Sequence, residues 1–502
     1  MKFMNIMSEV SVKRVITAVV VSAIALGVMA QPARPKLVVG LVVDQMRWDY
    51  LFTYYDQWGE KGFKTLLDEG YCCNNTIIDY VPTVTAAGHA TIYTGTTPAF
   101  HGIAGNNFML NGKNVTSVLD NSERAVGGNE KSKGKSPRNL ITTTIADQLQ
   151  LATNFKSRSV GIALKDRASI LPAGHHPTGA YWYDGDSKSF VTSTYYRDKL
   201  PKWVADFNKR NRDALASEVY NLPVGTTLTF ALAEQALINE NLGMGEATDM
   251  LAISVSNTDM CAHYFGVHSP KVDSIYWQLD KEIAHFIDVL DQRIGRGNYL
   301  LFLSADHGGT WSYPTMTKQG LPSACWHNPD ALIAANEVLE QQFGVKKLLK
   351  AEMEYTFYIN DRAIDSARLD RNQVMLAACK ALEQPEEIQW AIDVANIDNY
   401  PIPTILKERI KLGYFPERSG EIYVVPRTGV YAGKTEWEGS NHGSWSQSDS
   451  HIPLIFMGWN VVPGETSRLT HMTDIAATVC AMLHIQAPNG CIGNPIPEVQ
   501  RQ

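Results

Sequence analysis

Along this chain, short runs of uninterrupted apolar residues are followed at once by small polar clusters. Residues 36–43 (KLVVGLVV), 159–164, 250–256 and 299–304 lack the alternation of a half-exposed strand, and predict strands buried on both faces. Asp44 follows the first run, Lys165-Asp166-Arg167 the second, Asp259 closely follows the third, and Asp306-His307-Gly308-Gly309 the fourth. Helical patterns fall between them at 48–55, 61–69 with Gly70 as a stop, 143–151, 226–241 and 274–294. In the last of these, Ile275, Leu279, Ile283, Phe286, Ile287 and Leu290 share one face. The repeated order of strand, polar cluster and helix predicts an α/β fold. Its central sheet is largely parallel, with helices on both faces and ligands gathered at the carboxyl ends of the strands.

Other segments modify this plan. Residues 107–120 alternate around Asn111-Gly112, a hairpin signal, and 181–195 read as a second hairpin turning at Asp184-Gly185. Residues 121–139, rich in Gly, Ser and Lys, read as a polar loop. From 331 to 412 helices and strands, such as 354–359 and 388–394, recur without comparable polar clusters, which predicts an inserted α/β subregion beside the main sheet. The core is expected to resume at 420–426, with a late strand at 452–457 and a closing helix at 474–483 capped by Thr473.

The stretch around which the chain is organised is 80–107, YVPTVTAAGHATIYTGTTPAFHGIAGNN. A turn at Val81-Pro82 leads through Thr83 into a short helix that stops at Gly95, which sets Thr85 at the helix mouth. Unpaired N–H groups and the positive end of the dipole favour an anion there, so Thr85 is either a helix cap or a nucleophile. The other clusters supply what a nucleophile needs. Asp259-x3-His263 places two ligands on one helical face, although alone the pair reads equally as a capping or surface feature. Asp306-His307, flanked by glycines at a strand end, suits a metal, and His442 in Ser440-Asn441-His442-Gly443 adds a third nitrogen. With Asp44 the set holds three Asp and three His, the oxygen and nitrogen donors that suit zinc. Zinc lowers the pKa of bound water from about 15.7 to about 7, and would activate a threonine hydroxyl in the same sense. His89, one helical turn past Thr85, reads as a core support, and His101 as a residue shaping its loop.

In order, Asp44, Pro82-x-x-Thr85, Thr94-Gly95, Asn106-Asn107, Lys165-x-Arg167, Asp259-x3-His263, Asp306-His307-Gly308 and His442-Gly443 resemble the alkaline phosphatase superfamily. The likeness is to its exported bacterial zinc enzymes with a threonine nucleophile, and it runs over essentially the whole chain after residue 30. The resemblance implies two zinc ions, one held by Asp259, His263 and His442, the other by Asp44, Asp306, His307 and the Thr85 oxygen. It also implies that Asn106, Lys165 and Arg167 contact the phosphate oxygens. The expected activity is hydrolysis of small-molecule phosphate monoesters through a covalent phosphothreonine at Thr85. Lys165-x-Arg167 matches the extra charge that a monoester carries over a diester. A phosphodiesterase or nucleotide pyrophosphatase of the same superfamily is the alternative, followed by a non-catalytic secreted zinc- or phosphate-binding protein. A sulfatase is disfavoured, since that branch resembles CxPSR where this chain has Thr85.

Composition changes the picture little. Lys plus Arg number 45 against 52 Asp plus Glu in 502 residues, so nothing announces a nucleic-acid partner. Lys13-Arg14 precede an apolar run at 15–29, which reads as a signal peptide at 1–30 cleaved after Ala30. The remaining chain, 31–502, is then an exported catalytic domain, periplasmic or secreted, with no stable membrane insertion. Seven cysteines show no CxxC spacing; one at least is unpaired within the chain, and Cys480 with Cys491 is a candidate bridge.

Overall fold

The computed structural model describes residues 34–500, so the expected signal segment lies outside the described residues. Five parallel strands form the centre of an eleven-stranded sheet. They are β1 (Leu37–Val43), β2 (Ser159–Ala163), β3 (Gly179–Asp184), β4 (Asp249–Val255) and β5 (Tyr299–Ser304). Their spatial order is β5-β1-β4-β2-β3. All residues of β1, β2, β4 and β5 are buried, as their uninterrupted apolar runs require. The sheet continues on both sides through antiparallel strands, Leu454–Gly458 against β5 and Ser189–Ser193 against β3.

The register of these strands fixes the site. Val42 lies opposite Ser254 on one side and Ser304 on the other, and Ser254 lies opposite Ala163. These four residues make one row across the sheet, so the polar clusters just beyond them emerge along one edge. Helix α1 (Thr85–Thr94) is buried on every side, which is why it shows no polar face. Two glycines allow its close approach to the sheet. A Cβ on Gly40 would come within 2.3 Å of the Tyr93 hydroxyl, and one on Gly88 within 2.2 Å of the Asp306 carbonyl oxygen. Helix α2 (Asp166–Ala173) follows β2, and α3 (Asn257–Phe265) follows β4.

A second core is built by later residues, among them Leu339, Phe357, Val374, Ile392, Leu406 and Val424. Its sheet orders Leu349–Met353, Thr356–Ile359, Ile422–Pro426 and Ile388–Asp393, all antiparallel. Ile422–Pro426 therefore does not resume the main sheet. An apolar run announces a buried strand but carries no label for its sheet, and here its neighbours are Thr356–Ile359 and Ile388–Asp393. The segment read as a polar loop also differs. It contains strands Leu119–Val126 and Lys133–Lys135, which extend the sheet beyond Ser189–Ser193. Exposed positions dominate that edge, so its strands lack an apolar stripe. The closing helix is Asp474–Met482, and Thr473 makes no side-chain cap. All seven cysteines are free thiols, Cys480 and Cys491 included.

Candidate metal centre and nucleophile

Each strand end delivers one part of the site. Asp44 directly follows β1, Lys165 leaves β2 one residue past Leu164, Asp259 sits in the first turn of α3, and Asp306 follows β5 across Ala305. Thr85 is the first residue of α1; the capping position is Val84, in extended backbone. The Thr85 side chain is therefore not spent as a helix cap. Its Oγ1 is buried, 3.2 Å from Lys165 Nζ and 3.4 Å from His307 Nε2.

Three histidines are held alike. Nδ1 of His263 faces the Ser440 carbonyl at 2.9 Å, Nδ1 of His442 the Thr83 carbonyl at 2.8 Å, and Nδ1 of His307 the Gly308 carbonyl at 2.8 Å. A carbonyl only accepts, so each Nδ1 carries a proton and each ring turns Nε2 inward, the nitrogen that a neutral imidazole offers as a ligand. His263 and His442 then aim Nε2 at one another across 3.2 Å, an approach of two ring nitrogens that a cation between them would satisfy with both rings neutral. Asp259 Oδ1 is 3.2 Å from His263 Nε2 and 3.6 Å from His442 Nε2. Asp44 Oδ1 and Asp306 Oδ2 each stand 3.6 Å from His307 Nε2. These carboxylate oxygens, Asp44 Oδ1, Asp259 Oδ1 and Asp306 Oδ2, are buried without a hydrogen-bond partner. Carboxylate oxygens without hydrogen-bond partners, converging with ring nitrogens, form a donor set that fits zinc.

Two groupings have ligand atoms close enough for one ion each: Asp259, His263 and His442, and Asp44, Asp259 and His307. The first has the composition implied by the resemblance. The second takes Asp259 where the resemblance implies Asp306, whose Oδ2 is 3.2 Å from His89 Nδ1. His89 supports the site as the sequence suggested. Its Nδ1 also meets the Thr85 carbonyl at 2.9 Å, and its Nε2 meets Ser254 Oγ at 2.8 Å.

Lys165 is the electrostatic centre. Its ammonium donates to Asp44 Oδ2 at 2.7 Å and Asp259 Oδ2 at 2.6 Å, bridging the two groupings. Burial pushes the Lys165 pKa down, but Asp259 and Asp44 outweigh it, and the net direction is upward. Burial also works against ionisation of Asp259, yet His263 and Lys165 hold its carboxyl well below the usual range. Asp44 goes the other way: burial, joined by the Asp306 charge, raises its pKa well above the ordinary value despite Lys165. Burial, with His307 and His263 nearby, keeps His442 well below an ordinary imidazole. Three buried carboxylates thus crowd around one ammonium, and Asp44 is the one driven toward its neutral form.

Asn106 and Arg167 border this centre. Asn106 Oδ1 accepts the Ala86 N–H at 2.9 Å, which ties it to the start of α1 and leaves its NH2 group to donate elsewhere. Arg167 lies in the first turn of α2, three-quarters buried, with Nη1 3.7 Å from Asp166 Oδ1 and its Nε unpartnered. Sequence reasoning missed Glu354. It comes from the second core in a left-handed turn at φ 55°, and its carboxylate lies over Gly105, 2.8 Å from where a Cβ there would sit. Burial pushes the Glu354 pKa up to about 7, opposed by the Asn106 backbone and by Arg167. Its only sequence signal was an acidic residue, two positions after Glu352, in a strand-rich insertion.

Comparison with known proteins gives consistent matches. A family profile described as type I phosphodiesterase / nucleotide pyrophosphatase matches residues 38–449. A Myroides odoratus protein named calcium-transporting ATPase is 42% identical, across 93% of this chain and 95% of its own. Alkaline phosphatase PafA of Elizabethkingia meningoseptica is 41% identical, across 93% of this chain and 94% of its own. The crystal structure of wild-type PafA is similar with a TM-score of 0.91 at 40% identity, covering 94% of this chain and 100% of the other. A further PafA structure carries substitutions of a threonine, an asparagine, a lysine and an arginine. Among the described residues here, no helix is long and apolar enough to cross a membrane.

Proposed function

The chain belongs to the type I phosphodiesterase / nucleotide pyrophosphatase family of the alkaline phosphatase superfamily, and we propose that it acts there as an alkaline phosphatase on small-molecule phosphate monoesters. The family profile is named for diesterases, so the choice between ester classes rests on the site. One observation carries it: Lys165 Nζ stands 3.2 Å from Thr85 Oγ1, with Arg167 at the start of the following helix. A cation beside the nucleophile, with a second two residues along the chain, matches the additional ionised oxygen of a monoester. Thr85, Asn106, Lys165 and Arg167 also repeat, in chain order, the four residue types substituted in the PafA variant.

Asp259, His263 and His442 would hold one zinc ion, and Asp44, Asp306 and His307 with the Thr85 oxygen the other. When bound, zinc supplies Lewis acidity, which offsets negative charge and lowers the pKa of hydroxyl groups it polarises. Thr85 Oγ1 forms a bond to phosphorus as the ester oxygen leaves with the alcohol portion. Water then cleaves the bond between phosphorus and Thr85 Oγ1, which restores the hydroxyl and releases inorganic phosphate. Asn106 donates its NH2 group to one phosphoryl oxygen, and Lys165 and Arg167 stabilise charge on the others. The Nδ1 contacts of the three histidines fix ring orientation before any ligand arrives. The segment at 1–30 supports export to the periplasm or beyond.

The test is hydrolysis of an aryl phosphate monoester beside the matching diester in zinc-replete protein, with and without chelator, together with Thr85→Ala. The expected result is a chelator-sensitive preference for the monoester. In Thr85→Ala, turnover should fall by about a thousandfold or more while zinc content by elemental analysis is retained. Diester preference, or near-normal turnover in Thr85→Ala, overturns the reading.

A further inference from the structure

Beside Lys165 and Arg167 lies a cavity of about 450 Å³ that the chemistry above does not use. Both cations proposed for the phosphoryl group line it, as does Met260, which follows Asp259 in the chain. A phosphoryl group held between them would direct the organic portion of its ester into this space, whose size is in the range of small-molecule pockets.

The outer wall is basic in a regular way. Lys131, Lys133 and Lys135 all line the cavity. Lys133 and Lys135 stand two apart on the strand Lys133–Lys135, a period that sets side chains on one face, and Lys131 lies in the turn just before it. Gly134 between them is pressed against the next strand, since a Cβ there would come within 2.1 Å of the Glu123 carbonyl. The wall is also fixed in place. Ser132 Oγ donates to Asp184 Oδ2 at 2.7 Å, and Asn129 Nδ2 donates to the Asp186 carbonyl at 2.8 Å, tying this edge to the turn after β3.

Charge is left over. Lys135 is paired with Asp166 at 2.8 Å, and Lys165 is engaged by Asp44 and Asp259. Two more carboxylates line the cavity, Asp184, which accepts hydrogen bonds from Ser132 and from Ser187, and Asp186, so that five cationic side chains face three acidic ones. Among the described residues, Lys131 Nζ and Lys133 Nζ have neither a hydrogen bond nor an ion pair, although both line the cavity. Surface lysines usually turn to solvent, but two unpaired ammonium groups at the mouth of an anion-processing cleft favour an anionic occupant.

We propose that this cavity is a subsite for a second anionic group of the substrate, carried on its alcohol portion and held by Lys131 and Lys133. The inference rests on the monoesterase reading and deepens it: preferred substrates are monoesters bearing a further carboxylate or phosphate. The experiment compares phenyl phosphate with phenyl phosphate bearing a ring carboxylate, in zinc-replete wild type and in the double variant Lys131→Gln, Lys133→Gln. The readout is the ratio of kcat/KM for the carboxylated over the plain ester. Each solvent-facing pair contributes modestly, so the double substitution should lower that ratio by about two- to tenfold. Added salt should lower the wild-type ratio in the same direction. Both lysines are exposed, so the variant is expected to fold. A ratio equal in variant and wild type, with both esters still hydrolysed, overturns the subsite alone. Hydrolysis of neither ester by wild type overturns the monoesterase reading, and the subsite with it.

Discussion

Replacing Lys165 by Met keeps the length of the side chain and removes its charge, which tests the ammonium that bridges two buried carboxylates. Lys165 is 4% exposed in its side chain, against 0% for Asp44 and 2% for Asp259, so solvent does little to screen either contact. At separations of 2.7 and 2.6 Å, an effective dielectric of about 20 gives roughly 6 kcal/mol of attraction per contact before desolvation. Desolvation takes back several kcal/mol per ion, so the bridge adds little net stability over an apolar substitute for all three groups. Removing only the cation is different, because Asp44 and Asp259 remain buried and lose their common partner. The cost expected for such a broken network is about 3–5 kcal/mol. For a chain of this size that corresponds to a fall in Tm of roughly 3–5 °C, measured by thermal denaturation in chelator. With zinc supplied the deficit should narrow, since bound ions neutralise the same oxygens. Hydrolysis of the aryl monoester should fall in the zinc-replete variant more than hydrolysis of the diester. A variant that melts within a degree of wild type in chelator would refute the assignment of Lys165 as the partner of both carboxylates.

Two more predictions follow from packing and from titration. Gly88→Ala sets a methyl group 2.2 Å from the Asp306 carbonyl oxygen, and should cost about 1–3 kcal/mol with reduced turnover; unchanged melting and kinetics would show that α1 and the end of β5 are less tightly packed than described. The His175–Asp147 pair, with Nδ1 2.8 Å from Oδ2 and Nε2 3.0 Å from the Leu140 carbonyl, sets a pH window. Burial lowers the His175 pKa, but Asp147 raises it further, and the net shift is above 6.5. Its contribution is therefore complete below the unfolded value and fades as pH rises through the folded one. The opposite holds for Asp147, shifted down against burial by His175: its contribution fades as pH falls through its folded value. In His175→Asn the loss of stability on going from neutral to mildly alkaline pH should be smaller than in wild type, measured by Tm against pH, and parallel curves would refute the pairing.

The sequence made the centre of the fold legible wherever burial was complete. Residues 37–43 and 299–304 could be read as strands because no polar position interrupted them, and Gly95 marked the end of α1 because it takes the left-handed conformation there. Lys133–Lys135 escaped because a three-residue edge strand with exposed lysines has no hydrophobic period. Ile422–Pro426 was read as a strand, but its partners are chosen by contacts that a linear pattern does not encode. The candidate site followed the same division. Residues at strand ends were visible one by one, whereas the bridge from Lys165 to Asp44 and Asp259 and the approach of Glu354 to Gly105 depend on tertiary packing.

The aligned row at the carboxyl ends of β1, β2, β4 and β5 has a consequence for folding kinetics. Contacts within the site join residues very far apart in sequence, such as His442 with Thr83 across 359 positions. Closing so long a loop is entropically unfavourable until the intervening strands have paired, and parallel pairing is itself slow. The donor set therefore exists only late in folding, after nearly the whole chain has been made. A metal that binds such a late-formed set has little to hold in the folding transition state. Its stabilisation should appear mainly as slower unfolding, so zinc would act as a latch on the finished protein rather than as a template for its assembly.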